Sequence, residues 1–292
     1  MFGGIYPILY AFFRADGVLD LAAMRRQVAA CVAHPCHGIA ALGLATEVNK
    51  LAPAEKRAIV ALLAEENGRR KPLAVTVSGD SVDEQAALAE HARAHGAQWL
   101  ILQPPGERGQ PEPYYFDFFA EVMARTDLPC AIQNAPEYLG VGLGPEGIAR
   151  LAALRPNFVL LKGEGPAVRM RAVIESNPAL AVFNGRGGLE LIDNLRAGCA
   201  GMIIGVDSFD WQAGAFEAWR AGDMNEAERL YGAILPGVTF MMQSIDHLVC
   251  YGKRIAAARL GLAVHDRAPG IVATAFGAAC VARFAAALGP LA

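Results

Sequence analysis

Along the chain, short apolar runs alternate with longer stretches whose apolar positions recur every three to four residues. The runs occupy residues 4–12, 38–43, 72–77, 99–103, 130–133, 158–162, 181–184 and 202–206. Most are four to eight residues long and rich in Val, Ile and Leu, which suits strands buried on both faces better than helices. Between them the spacing predicts helices over 19–34, 54–67, 83–95, 115–126, 144–154, 167–177, 189–197 and 209–220. The third helix is preceded by Ser81-Val82-Asp83-Glu84, the signature of a capping box. Eight strand–helix units in this order predict an α/β fold, a closed (β/α)8 TIM barrel. A doubly wound sheet is the alternative, but no strand–GxGxxG–helix fingerprint follows the first run to favour it. The barrel is assigned to residues 1–222. Residues 223–292 contain no convincing strand and read as a C-terminal helical appendage of two or three Ala-rich helices. No linker separates the two segments, so they form one unit.

Composition sharpens this picture. Apolar residues make up 54% of the chain and charged residues 19%, which excludes a disordered protein. The mean hydropathy of +0.28 invites a membrane reading. No run of about 18 residues is both apolar and uncharged, so a membrane partner is not expected. The apolar start lacks a basic region and soon meets Arg14 and Asp16, which argues against a signal peptide. A net charge of −3 gives no basic excess for nucleic acid. The six cysteines are scattered without a CxxC pair and read as core residues of a cytoplasmic protein.

The chain has only five lysines. Lys162 differs from the others because it closes the apolar run Phe158-Val159-Leu160-Leu161 at the C-terminal end of the sixth strand. Barrel enzymes build their sites at that end. Desolvation there favours a free amine, which can attack a ketone to form a Schiff base. The other reading is a lysine snorkelling to the barrel mouth. Glu164 lies two residues on, so it shares a face with Lys162 if the strand extends that far. It is then either a proton shuttle or the ion-pair partner of the amine.

Several motifs together carry a resemblance. They are Gly43-Leu44-Ala45-Thr46-Glu47 with Leu51, Gln133-Asn134-Ala135-Pro136, Leu160-Leu161-Lys162 and Gly198-Cys199-Ala200-Gly201. In order and spacing the chain resembles the dihydrodipicolinate synthase / N-acetylneuraminate lyase superfamily of class I aldolases. The resemblance implies a (β/α)8 barrel with a helical C-terminal region, a homotetramer, and a Schiff-base lysine at Lys162. It implies no metal and no organic cofactor, because the lysine is the electron sink.

The departures redirect the expected chemistry. The family's Gly-Thr-Thr-Gly-Glu has lost its hydroxyl pair here. Its proton-relaying tyrosine is replaced by Gln133, whose amide cannot titrate in that role. Tyr138 stands where dihydrodipicolinate synthase has an arginine for its second substrate's carboxylate. The tyrosines after the fourth strand are absent from Pro104-Pro105-Gly106. A Lys-x-Glu arrangement resembles instead the branch that includes 2-keto-3-deoxyarabonate dehydratase, with Glu164 assisting loss of water and Asn184 as a candidate for that branch's asparagine.

The expected catalytic set is therefore Lys162, Glu164 and Gln133. Ala45, Thr46, Asn184, Gly185, Arg186 and Ile203 are expected to contact substrate. The turn Gly185–Gly188 either offers backbone N–H groups to a carboxylate or is simply a tight turn. Gln133 either binds a substrate hydroxyl or fills the tyrosine's space. The expected reaction is dehydration of a 2-keto-3-deoxy sugar acid, a small 2-oxo acid. Aldol cleavage of a similar substrate and non-catalytic 2-oxo acid binding are the alternatives. His34-Pro35-Cys36-His37 falls at the barrel's opposite face and is expected to be structural, as are His91 and His95. His247 is given no catalytic role.

Overall fold

Strands covered outside by helices and inside by the barrel core need apolar side chains on both sides. The eight runs accordingly become β1 (Gly4–Ile8), β2 (Ile39–Ala41), β3 (Leu73–Val77), β4 (Trp99–Leu102), β5 (Cys130–Asn134), β6 (Phe158–Gly163), β7 (Ala181–Asn184) and β8 (Gly201–Gly205). They pair in parallel and in sequence order into a closed barrel in this computed structural model, which describes residues 2–291. Met1 and Ala292, the outer ends of the two expected segments, lie outside the described residues. The first run was expected to stay extended to residue 12, yet β1 stops at Ile8. Beyond it the Tyr10 backbone pairs with a side chain instead of a strand. Its N–H donates to Gln27 Oε1 at 3.0 Å and its carbonyl accepts from Gln27 Nε2 at 2.8 Å.

The eight helices fall where the periodicity put them, with ends shifted by up to three residues. They are α1 (Leu21–Ala33), α2 (Pro53–Asn67), α3 (Val82–Ala94), α4 (Glu112–Met123), α6 (Pro145–Leu154), α7 (Ala167–Ser176), α8 (Leu191–Ala197) and α9 (Phe209–Arg220). A four-residue helix, α5 (Pro136–Leu139), is added after β5. At α3, Ser81 Oγ accepts from the Glu84 N–H as expected, but the Glu84 carboxylate reaches the Asp80 N–H instead of that of Ser81. The expected capping box is therefore displaced by one residue on its reciprocal side.

The barrel interior is filled from below. Tyr6, Trp99 and Phe183 meet at ring separations of 5.4–5.6 Å. All three rings are buried in the barrel core. On the opposite face His37 Nδ1 accepts the Ile5 N–H at 3.1 Å while Nε2 meets Glu217. His37 thereby satisfies a strand start, a structural task. Among the described residues no group of three or more His, Cys, Asp or Glu side chains is placed to hold a metal ion.

After α9 the chain forms α10 (Met224–Met241), α11 (Ile245–His247), a π turn (Leu248–Gly252), α12 (Lys253–Leu260) and α13 (Ala275–Leu288). This tail is tied to the barrel by a buried charge cluster. Lys253 is wholly buried, and its Nζ meets the Glu47 carboxylate on the loop after β2. Lys50 Nζ reaches the other Glu47 oxygen at 2.6 Å, and Asp266 lies 3.7 Å from Lys253. Removing one partner of such a pair strands the other in a low dielectric. Glu47→Gln is therefore expected to lower urea stability by about 3–5 kcal/mol. A loss under about 1 kcal/mol, the range of exposed pairs, would refute the structural weight assigned to the cluster.

All six cysteines are buried and unpaired. Burial pushes the Cys130 and Cys199 thiols up to about 12 and that of Cys36 to about 11. Among the described residues no single helix is long and apolar enough to cross a membrane.

Candidate active site

The floor of the site is set by strand register. Gln133 on β5 pairs with Lys162 on β6, and both stand at the C-terminal end of the barrel. Lys162 is 3% exposed. Glu164 follows just past the end of β6, and its Oε1 lies 3.3 Å from Lys162 Nζ. The shared face inferred from alternation is thus observed. The Glu164 Oε2 accepts from Gln133 Nε2 at 2.8 Å, so the carboxylate is held between an amine and an amide.

Gly185 explains how the carboxylate fits. A Cβ at this position would lie 2.2 Å from Glu164 Oε1. Only a glycine lets the carboxylate lie against the main chain after β7.

Around these groups is a small pocket. Its apolar wall comes from Ile8, Leu44, Ala45, Ile203 and Ile204 of the barrel, and from Met242, Ile245 and Leu248 of the tail. The tail had been expected to pack beside the barrel; it also roofs the pocket. His247 meets the Phe240 ring edge-on and the Tyr251 ring at a tilt. The polar lining consists of Lys162, Glu164 and Arg186.

The remaining expected contacts divide clearly. Ala45, Arg186 and Ile203 line the pocket. Thr46 and Asn184 turn their polar groups into the scaffold. Thr46 Oγ1 donates to the Leu9 carbonyl at 2.6 Å and its N–H to Gly43 O at 3.0 Å. Asn184 Nδ2 donates to Gly165 O and Asn194 Oδ1, both at 2.8 Å, and its Oδ1 accepts the Gly185 N–H at 2.7 Å. It ties the loops after β6 and β7 together and has no donor left for a ligand. Arg186 sits at φ 54°, and its Nη1 donates to Glu190 at 2.8 Å. Tyr138 faces it across the mouth, where burial pushes the phenol up against the opposing pull of the Arg186 guanidinium.

Sequence reading had not singled out Gln103. Its Nε2 donates to Gln133 Oε1 at 2.8 Å. The link runs across the β4–β5 register and leaves no local sequence signal.

Chemically, the site places a buried amine within proton-transfer reach of a carboxylate, in a cavity with apolar walls and a cation at one side. The Dihydrodipicolinate synthetase family model matches residues 1–275, and the chain belongs to that family. Members of the family are lyases. The chain is 28% identical over 249 residues to "Probable 2-dehydro-3-deoxy-D-pentonate aldolase YjhH" of Escherichia coli K12, covering 80% of each protein. It is also 28% identical over 240 residues to L-2-keto-3-deoxyarabonate dehydratase of Azospirillum brasilense, covering 80% of this chain and 77% of that one. Among solved structures, YagE of E. coli K12 in complex with pyruvate superposes with a TM-score of 0.90 at 23% identity, covering 99% of both chains. That likeness concerns the fold.

Proposed function

We propose that the protein is a Schiff-base-forming lyase that dehydrates a 2-keto-3-deoxy sugar acid. The observation that carries this reading is the buried Lys162 amine with the Glu164 carboxylate 3.3 Å away. Lys162 Nζ adds to the C2 ketone, and loss of water gives an iminium. Glu164 removes a C3 proton; the C–H pair becomes the C2=C3 bond, and the C=N pair neutralises the nitrogen. The resulting enamine pushes its electrons into a C3=C4 bond as the C4 hydroxyl leaves. Glu164 returns its proton to that hydroxyl, which departs as water. Water then releases the unsaturated product from Lys162. No metal or organic cofactor takes part in this scheme. Ala45 and Ile203 suit one end of the substrate, and Arg186 with Tyr138 suits the distal, variable end.

Aldol cleavage is the second reading, and the aldolase name of one relative favours it. The same enamine would then form by breaking C3–C4, with Glu164 taking the C4 hydroxyl proton. A product assay on 2-keto-3-deoxy pentonates and hexonates separates the two. Dehydration keeps every carbon in one product, whereas cleavage releases pyruvate. Stoichiometric pyruvate would overturn the dehydratase reading. Condensation of pyruvate with aspartate semialdehyde is not expected, because Tyr138 cannot make a bidentate carboxylate contact.

We further propose that the protein self-associates, as a homotetramer, in the reducing cytoplasm that its unpaired thiols suit. Val272 and Phe276, at the start of the α13 region, are 86% and 77% exposed, which is a large apolar surface for a free chain. Light scattering at micromolar concentration is expected to give a multiple of the chain mass; a single-chain mass would refute the proposal.

A further inference from the structure

Three glutamines run in series from α3 to the active-site carboxylate. Gln85 Nε2 donates to the Gln103 carbonyl at 2.9 Å and to the Gly79 carbonyl at 3.0 Å. Gln103 Nε2 donates to Gln133 Oε1, and Gln133 Nε2 donates to Glu164 Oε2, each at 2.8 Å. All three side chains are buried. An amide has a donor end and an acceptor end of nearly the same shape, so its neighbours decide which way it points. In the observed order the Gln133 NH2 faces Glu164. In the reversed order its carbonyl oxygen would face that carboxylate, an arrangement tolerated only when Glu164 carries a proton to donate.

We propose that Gln103 is a positioning residue: by donating to Gln133 Oε1 it keeps the Gln133 NH2 turned to Glu164 and so holds Glu164 as the proton-accepting carboxylate. The inference rests on the reading of Glu164 as the base, and adds what sets its protonation state. Gln85 anchors the main chain at Gln103, which fixes where the donor stands. The charged and titratable groups facing Glu164 are Lys162 on β6, Arg186 after β7 and Tyr138 on α5. Among the described residues, the tail presents only Met242, Ile245 and Leu248 to this pocket.

Pyruvate is a sufficient probe. Once it is bound as an iminium, removal and return of a C3 proton exchange its methyl hydrogens with solvent, and proton NMR in D2O reads the rate. Gln103→Met keeps length but removes the donor. Gln103→Glu offers an acceptor when ionised, which draws the Gln133 NH2 away from Glu164. Both variants are expected to form the borohydride-reducible adduct as the parent does. Losing the donor disfavours the ionised carboxylate, so it forms only at higher pH. The acid limb of the exchange profile should therefore move up in Gln103→Met and further in Gln103→Glu. At pH values below the limb, this is about a tenfold loss of exchange or more. A general loss of structure would lower the whole profile without this order. An adduct with three coincident acid limbs, or with the order reversed, overturns the role of Gln103 alone. A parent protein that forms an adduct but exchanges no protons overturns Glu164 as the base. One that forms no adduct overturns the Schiff-base reading, and this inference with it.

Discussion

Lys162→Ala is expected to abolish covalent capture of pyruvate. Borohydride should add one reduced pyruvyl group per chain to the parent and none to the variant, and turnover should fall by more than about 10⁴-fold, as for other lost nucleophiles. The rival amines are weaker candidates on structural grounds. Lys253 is enclosed and faces Glu47, and Lys50 is paired with the same carboxylate. Lys56 is the serious competitor, because burial pulls its amine below the usual lysine range. It lies outside the barrel, however, where its Nζ donates to Ser78 Oγ at 3.1 Å. Lys56→Gln should therefore retain full labelling. Mass spectrometry of the trapped protein decides the matter, and an adduct that survives in Lys162→Ala would overturn the assignment.

Glu164→Gln should separate adduct formation from turnover. The amide can still accept from Gln133 with its oxygen, so the buried contact survives and the fold is expected to hold. Pyruvate should still be trapped, because addition of the Lys162 amine to a ketone does not require this carboxylate. Turnover of a 2-keto-3-deoxy sugar acid should fall at least about 10²-fold, the lower end for a lost general acid–base group. The loss should appear in kcat, because the proton transfers occur after binding. Normal turnover in this variant would mean that water or another side chain carries the proton.

The barrel was legible in the sequence because each strand is a short, continuous apolar run and each helix restores a period near 3.6. The last residues of the first run misled because Tyr10 is buried against helix α1, and burial looks the same whether the neighbour is a strand or Gln27. The turns Leu44–Thr46 and Val48–Lys50, and the short helix α5, are too brief to show any period. Glu164 could be placed from its spacing of two from Lys162. Gln103 could not, because its partner lies 30 residues away across a strand pair. The tail's share of the pocket was hidden for the same reason, since the Lys253–Glu47 pair spans 206 residues. Thr46 and Asn184 show the reverse case. The family resemblance suggested ligand contact, but groups of the scaffold already claim their polar atoms.

The buried thiols make the protein well suited to single-site labelling. Alkylating reagents must reach the sulfur, and all six native cysteines are buried. A cysteine introduced at exposed Val272 would therefore be the one fast-reacting position on the folded chain. A fluorophore placed there would report on contact between copies of the protein without removing any native residue from the core.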